Sequence, residues 1–297
     1  MKLGVMLDYA VTGSDRSALR DYLQAIEDLG IEFVTVPEHV VGAHPDVLGE
    51  ATVHRIDRPY HEPFVLFGFV AGATRNLELA TSIVILPQRQ TVLFAKQSAL
   101  LDRLCDGRLR LGVGIGRNRV EYQALNENFT NRGRRLEEQL DVVRGLWSNE
   151  EFTFHGQWHA FDRIGLNPMP IQRPIPIWMG SYKGGTVERV IERIGRRADG
   201  WMPQMPPDDE FDDVLGRIHG YAAEAGRDPS ALGIEALDDI APDGGPDQWR
   251  TTAEAFRARG VTHLKAVLKL PPSDPDAASP LPANEALVER WLEAVTP

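Results

Sequence analysis

Short apolar runs alternate along this chain with longer segments of helical spacing. Leu3–Leu7 is such a run and ends at Asp8. Asp15–Leu29 then places Leu19, Tyr22, Leu23, Ile26 and Leu29 on one helical face, and Gly30 suits its C-terminal cap. Phe33–Val36 predicts a second strand, ending in Pro37, Glu38 and His39, and Leu77–Leu86 a third. Thr91 caps a helix bearing Val92, Leu93, Ala95, Leu100 and Leu104, which Gly107 closes before a fourth strand at Leu109–Val113. Arg132–Trp147 is strongly helical. Ile175–Met179, Gly200–Met202, Gly233–Leu237 and His263–Leu268 give strands five to eight, with helices reaching about Arg197 and over 209–225, 247–259 and 284–295.

Eight strands alternating with helices predict an α/β fold, a (β/α)8 TIM barrel forming one domain over 1–297. An open doubly wound sheet is the alternative. Two connections exceed a single helix, so insertions are expected after strands 2 and 4. The first is 42–62; the second contains EFTFHGQWHAF, whose alternation around Gly156 predicts a β-hairpin.

Composition narrows the functions. The net charge of -11 argues against sequence-independent nucleic-acid binding, which needs a basic surface. Cys105 is the single cysteine, so neither an intrachain disulfide nor a thiolate cluster is available, and a buried place on a helix is expected for it. No apolar run reaches the ~18 residues of a membrane span, and the first residues are too short an apolar run for a signal peptide. A cytoplasmic protein acting on a small-molecule substrate is expected, with neither membrane nor nucleic-acid partners.

In a TIM barrel the chemistry sits where the strands end. That rule selects Asp8, Glu38, His39, Pro87–Arg89, Gly114–Asn118, Met179–Lys183, Met202–Gln204, Asp238, Asp239 and Lys269. The stretch RLRLGVGIGRN, 108–118, is not a dinucleotide fingerprint: Arg117 or Arg119 stands where the third glycine belongs, and the strand is the fourth of its series. Its glycines either thin the strand end for a close approach, with the amides of Ile115–Asn118 aimed at an anion, or pack a tight barrel corner. GSYKGG at 180–185 repeats the pattern: Gly180 and Ser181 end a strand, and Gly184 and Gly185 open a helix whose amides favour phosphate. His39, beside Glu38, suits general acid–base work or a structural hydrogen bond. His155 and His159 lie about 13 Å apart in an extended hairpin, so no metal is expected there. Arg134 and Glu138 have the spacing of a helical ion pair.

Three segments together, LELATSIVILPQRQTVLFAKQSALLDRLCDGRLRLGVGIG, RGRRLEEQLDVVRGLW, and PIWMGSYKGG followed by RIGRRADGWMP, resemble the bacterial luciferase-like family of flavin and deazaflavin oxidoreductases. The resemblance implies a (β/α)8 barrel, usually a homodimer. It implies a non-prolyl cis peptide at Ser82–Ile83, bulging behind the central ring of the cofactor. It assigns the cofactor phosphate to Gly114, Ile115, Gly116 and Arg117 and to Gly180, Ser181 and Tyr182, with Asp8 also at the cofactor. Glu38 and His39 match an acidic residue–histidine pair of deazaflavin-dependent members, in which His39 would transfer a proton and Glu38 would orient it. Coenzyme F420 is favoured over FMN, with Arg89, Arg117, Arg119 and Lys183 as a basic rim for its anionic tail. Arg117 departs from relatives, which often carry an acidic or small residue there. The implied activity is hydride transfer between the deazaflavin C5 and a small organic substrate. The rivals are an FMN-dependent luciferase-like monooxygenase using reduced flavin and O2, a non-catalytic flavin-binding protein, and a barrel hydrolase working through Asp8 and Asp238.

Overall fold

The computed structural model describes residues 1–13, 15–44, 46, 56–182, 187–269 and 281–296. Its first strands are β1 (Lys2–Met6), β2 (Phe33–Val36), β3 (Glu78–Ile85) and β4 (Leu109–Gly114). Next come β5 (Phe152–His155) and β6 (Ala160–Ile164), the expected hairpin, which stands outside the main sheet. Then β7 (Ile177–Tyr182), β8 (Gly200–Gln204), β9 (Gly233–Ile240) and β10 (His263–Leu268) complete a closed, all-parallel barrel of eight strands, β10 pairing back to β1. The open-sheet alternative is thereby excluded.

The helices are α1 (Tyr9–Thr12), α2 (Arg16–Asp28), α3 (Pro63–Ala73), α4 (Thr91–Leu104), α5 (Arg119–Ala124), α6 (Arg132–Ser148), α7 (Glu188–Arg197), α8 (Asp209–Glu224), α9 (Pro246–Ala258) and α10 (Leu281–Val295). Local chemistry sets their ends. Asp15 accepts from the N–H groups of Ser17 (2.8 Å) and Ala18 (3.0 Å), which starts α2. Gly107, at φ 74°, takes the left-handed turn that separates α4 from β4. Periodicity did not reveal α3, because PFVLFGFVAGA is apolar on every face. Glu62 caps it by accepting from Val65 N–H at 2.7 Å, with Pro63 in the first turn. Among the described residues no helix is long and apolar enough to cross a membrane.

The expected Arg134–Glu138 pair is replaced by another contact. The Glu138 carboxylate accepts from the backbone N–H of Gln157 (2.6 Å), Trp158 (2.8 Å) and His159 (2.7 Å), pinning the hairpin turn to α6. The imidazole of His159 bridges Glu138 (2.8 Å) and Thr91 Oγ1 (2.6 Å), while His155 pairs with Asp162. Three backbone donors outweigh one exposed helical ion pair, worth only about 0.3–0.5 kcal/mol. Cys105 is fully buried, and burial pushes its thiol up to about 11.

The barrel floor is aromatic and charged. His263 stands edge-on to Phe33 and Trp178, and the Arg110 guanidinium lies 4.1 Å from the Trp178 ring centre. Gly4, Gly200 and Gly233 make room: a Cβ would fall 2.5 Å from Phe33 at the first and 2.3 and 2.2 Å from Trp178 at the others. An ion network crosses this layer. Lys2 Nζ meets Glu78 at 2.8 Å, Glu78 meets Arg110, and Arg110 Nη1 meets Glu235 Oε2 at 2.6 Å. Lys265 Nζ meets the other Glu235 oxygen at 2.7 Å and Ser82 Oγ at 2.6 Å. Burial alone would raise the Glu78 carboxyl, yet Arg110 and Lys2 hold it at about 2. Burial, aided by the Arg110 charge, drives His263 down to about 4.

Candidate active site

The Ser82–Ile83 peptide is cis, and the β3–β4 register shifts between Thr81 and Val84. Ile83 therefore turns toward the neighbouring strands and remains partly exposed in the barrel mouth. The glycines of 108–118 are explained by this packing. A Cβ on Gly114 would lie 2.7 Å from Ile83 Cδ1, and one on Gly112 would lie 2.1 Å from the Thr81 carbonyl oxygen. Gly180 also faces Ile83, and Gly116, at φ 60°, faces Ile85. The close approach is made by Ile83 and Ile85 of β3 at Gly114, Gly116 and Gly180, and by the Thr81 carbonyl at Gly112. Ile83 is what presents a surface to the mouth.

At the end of β2 the structure separates the two adjacent candidates. Successive residues of extended chain point to opposite faces. Glu38 turns into the wall, where Oε2 accepts from Ile85 N–H at 2.6 Å and Oε1 from Arg89 Nε at 2.8 Å. Glu38 thus does not orient His39; it ties the ends of β2 and β3 together. Arg89 also donates to Glu62 at 2.6 Å, so it is committed to two carboxylates and is not part of a free basic rim.

The carboxylate at His39 belongs to Glu121, on α5. Glu121 Oε1 lies 3.0 Å from His39 Nδ1 and accepts from Val40 N–H at 3.0 Å. Glu121 is fully buried, and its second oxygen faces Gln88 Nε2 at 3.4 Å. The sequence did not expose this residue, which lies 82 positions from His39. Its signal was Asn118, whose side chain accepts from Val120 N–H and caps a short helix with Glu121 in its first turn.

The end of the first insertion closes over the same region, though 45 and 47–55 lie outside the described residues. The Tyr60 ring meets His39 edge-on with centroids 4.7 Å apart. Arg58 lies over Tyr60 and reaches Asp8 at 3.3 Å. His61 contacts Thr12 Oγ1 at 2.6 Å and tilts against Tyr9; burial lowers its pKa. Asp238 is remote from Asp8 in role: it accepts from Trp291 Nε1 at 2.9 Å, in the helical layer, which removes the hydrolase pairing. Burial raises the Asp238 carboxyl to about 6.

The β4 exit is basic. Ile115 and Gly116 offer their carbonyls to Tyr122 Oη (2.6 Å) and Arg132 Nε (3.2 Å). Arg117 faces the Tyr182 ring, while Arg119 and Arg132 face Phe129 at 4.2 and 3.7 Å. Among the described residues these three guanidiniums meet aromatic rings and no carboxylate within ion-pair distance. Burial, with Arg119 close by, lowers the pKa of Arg132. Ser181 contributes only backbone here, because its Oγ accepts from Trp201 Nε1 at 2.7 Å in the helical layer. Lys183, Gly184 and Gly185 lie outside the described residues.

Two buried side-chain atoms near Glu121, Gln88 Oε1 and Asn118 Nδ2, have no hydrogen-bond partner among the described residues. Buried polar atoms are normally satisfied, so these are free to meet a ligand. A half-exposed Ile83, a tethered histidine, orphaned amides and three arginines lacking carboxylates fit a planar ring with an anionic tail.

Known proteins share the sequence pattern and the fold. An uncharacterized protein of Mycobacterium tuberculosis (strain ATCC 25618 / H37Rv) is 28% identical over 296 residues, 97% of each chain. The F420-dependent hydroxymycolic acid dehydrogenase of the same organism is 30% identical over 263 residues, covering 85% of this chain and 68% of that protein. The crystal structure of the monooxygenase RslO1 from Streptomyces bottropensis superposes with a TM-score of 0.77 at 19% identity, over 99% of both chains, and shares the fold. With residues 1–290 matching the family described as luciferase-like monooxygenase, the chain belongs to that family of oxidoreductase enzymes.

Proposed function

We propose that this enzyme is a coenzyme F420-dependent oxidoreductase acting on a small organic substrate, with His39 as the proton donor and acceptor. The observation that carries the reading is the His39–Glu121 pair at the barrel mouth, 3.0 Å apart beside the β3 bulge. When bound, the deazaflavin supplies hydride chemistry at its C5. The chain supplies the rest. Glu121 holds Nδ1 and fixes the orientation of the ring, and proton exchange is assigned to Nε2. Tyr60 packs the imidazole from the side, and Ile83 would help to hold the cofactor ring. Ile115, Gly116, Gly180 and Tyr182 lend backbone at the two strand exits, and Asp8 and Arg58 border the substrate side.

Coenzyme F420 is preferred over FMN because Arg117, Arg119 and Arg132, which meet no carboxylate among the described residues, suit a long anionic tail on a chain of net charge -11. The F420-dependent relative supports the same choice. Titrating the purified protein with coenzyme F420 and with FMN, followed by fluorescence quenching, tests it. Saturation by FMN alone would overturn the cofactor assignment in favour of a reduced-flavin monooxygenase. In turnover assays on small alcohols, aldehydes and enones, His39→Asn is expected to lose about 10²–10⁴-fold in kcat while binding cofactor normally. Undiminished turnover removes the proton-transfer role.

The active unit is read as a homodimer through α3 and α4. Val65, Gly68, Phe69 and Gly72 form an exposed stripe on α3, and Leu93, Leu100 and Leu104 protrude from α4. A side chain added at Gly68 or Gly72 would meet nothing within 4 Å, so the stripe is open surface. Such an exposed apolar face can pack against its own copy about a two-fold axis. Phe69→Glu should shift the sedimentation coefficient from dimer to monomer; a wild-type chain that sediments as a monomer refutes this assembly.

A further inference from the structure

The floor network ends directly beneath the site, at a serine. Lys265 Nζ donates to Glu235 Oε1 at 2.7 Å and to Ser82 Oγ at 2.6 Å, and both Lys265 and Ser82 are buried. An ammonium has donors and no acceptor. In this contact the Ser82 oxygen must accept, so its own hydroxyl hydrogen points elsewhere. Lys265 itself cannot swing aside. Glu235 is fully buried and divides its oxygens between Arg110 and Lys265, so losing Lys265 strands a buried carboxylate oxygen.

We propose that Lys265 is a positioning residue that turns the Ser82 hydroxyl hydrogen toward the barrel mouth as a donor. The proposal rests on the cofactor reading above and deepens it. A serine without this neighbour can turn its hydroxyl to give or to accept a hydrogen bond. Held by the ammonium, it spends one lone pair on Lys265 and turns its hydrogen away from it, so giving is favoured. The site therefore selects a ring edge that presents a carbonyl oxygen or an unprotonated ring nitrogen beside residue 82. Lys265 acts through Ser82 and touches no reacting atom.

The test is a titration of the full-length protein with FMN and with coenzyme F420, reading both affinity and the absorption band of the bound chromophore. Ser82→Ala leaves the ion network intact. It is expected to weaken binding of the preferred cofactor about tenfold and to shift that band. Lys265→Met is expected to do the same, and the double variant should be no weaker than either single one, because both remove one interaction. Lys265→Arg, which keeps the charge and the donors, should restore most of the affinity and the band position. Where Lys265→Met does not fold, Ser82→Ala and Lys265→Arg decide the matter. A Ser82→Ala protein with wild-type affinity and spectrum overturns this proposal and leaves the cofactor reading standing. A wild-type protein that takes up neither compound overturns the cofactor reading, and this proposal with it.

Discussion

The two ends of the barrel treat charge in opposite ways. On the floor, Glu78, Arg110, Glu235 and Lys265 are buried together, and each meets an opposite charge. At the mouth, Arg117, Arg119 and Arg132 face rings instead of carboxylates, and the Gln88 and Asn118 amides keep orphaned atoms. Buried charges left unpaired are costly, so the floor meets no ligand directly, and Lys265 reaches the site only through Ser82. Unpaired cations at a half-open mouth are what an anionic ligand requires. One fold thus separates the groups that hold it together from the groups that bind.

Breaking one floor partner should have the largest effect. Glu235→Gln leaves two buried cations facing a neutral amide and is expected to cost about 3–5 kcal/mol in urea unfolding at pH 7. A cost below about 1 kcal/mol would mean that the floor is not a closed network. The pH dependence is the next test. His263 is neutral in the fold, with its pKa lowered to about 4 from 6.5, so its stabilisation is complete above pH 6.5 and is lost as pH falls toward 4. Glu78 is held at about 2 from 4.5, so its contribution, on the order of 3 kcal/mol, is present above pH 4.5 and is lost between 4.5 and 2. Urea midpoints should fall through both windows, and Glu78→Gln should flatten the lower one. A flat profile from pH 6.5 to 2 contradicts the floor's electrostatics. The smallest effect should come from the mouth. Arg132→Met is expected to weaken F420 binding about tenfold while moving unfolding stability by less than about 0.5 kcal/mol. A large loss of stability with unchanged binding would reverse the comparison.

The sequence disclosed the barrel because period-two and period-3.6 patterns alternate cleanly, and β2 and β10 were placed to the residue. It hid α3, whose apolar residues cover every face because one side packs the barrel and the other stays exposed. At the site, family resemblance located the Ser82–Ile83 bond and the strand exits. Adjacency misled the assignment of Glu38: neighbours in extended chain diverge, so the partner of His39 had to come from another element. Glu121 met that requirement across 82 positions, a distance no local pattern spans. The arginines were half legible. Arg117 and Arg119 stood out after the glycines, whereas Arg89 is spent on Glu38 and Glu62 and Arg132 looked like one more charge on a helix.

The floor network also has a bearing on how the chain can be divided. Its members come from β1, β3 and β4 near one end of the sequence and from β9 and β10 near the other. A fragment ending after β4 would carry Glu78 with Arg110 but leave the guanidinium short of Glu235. The complementary fragment would carry Glu235 with Lys265 but offer no hydroxyl from Ser82. Neither half can complete its interior alone, so the barrel is expected to unfold as one unit. Split halves, expressed together, should recover structure only by finding each other, with the charge pattern at the cut faces as their matching code.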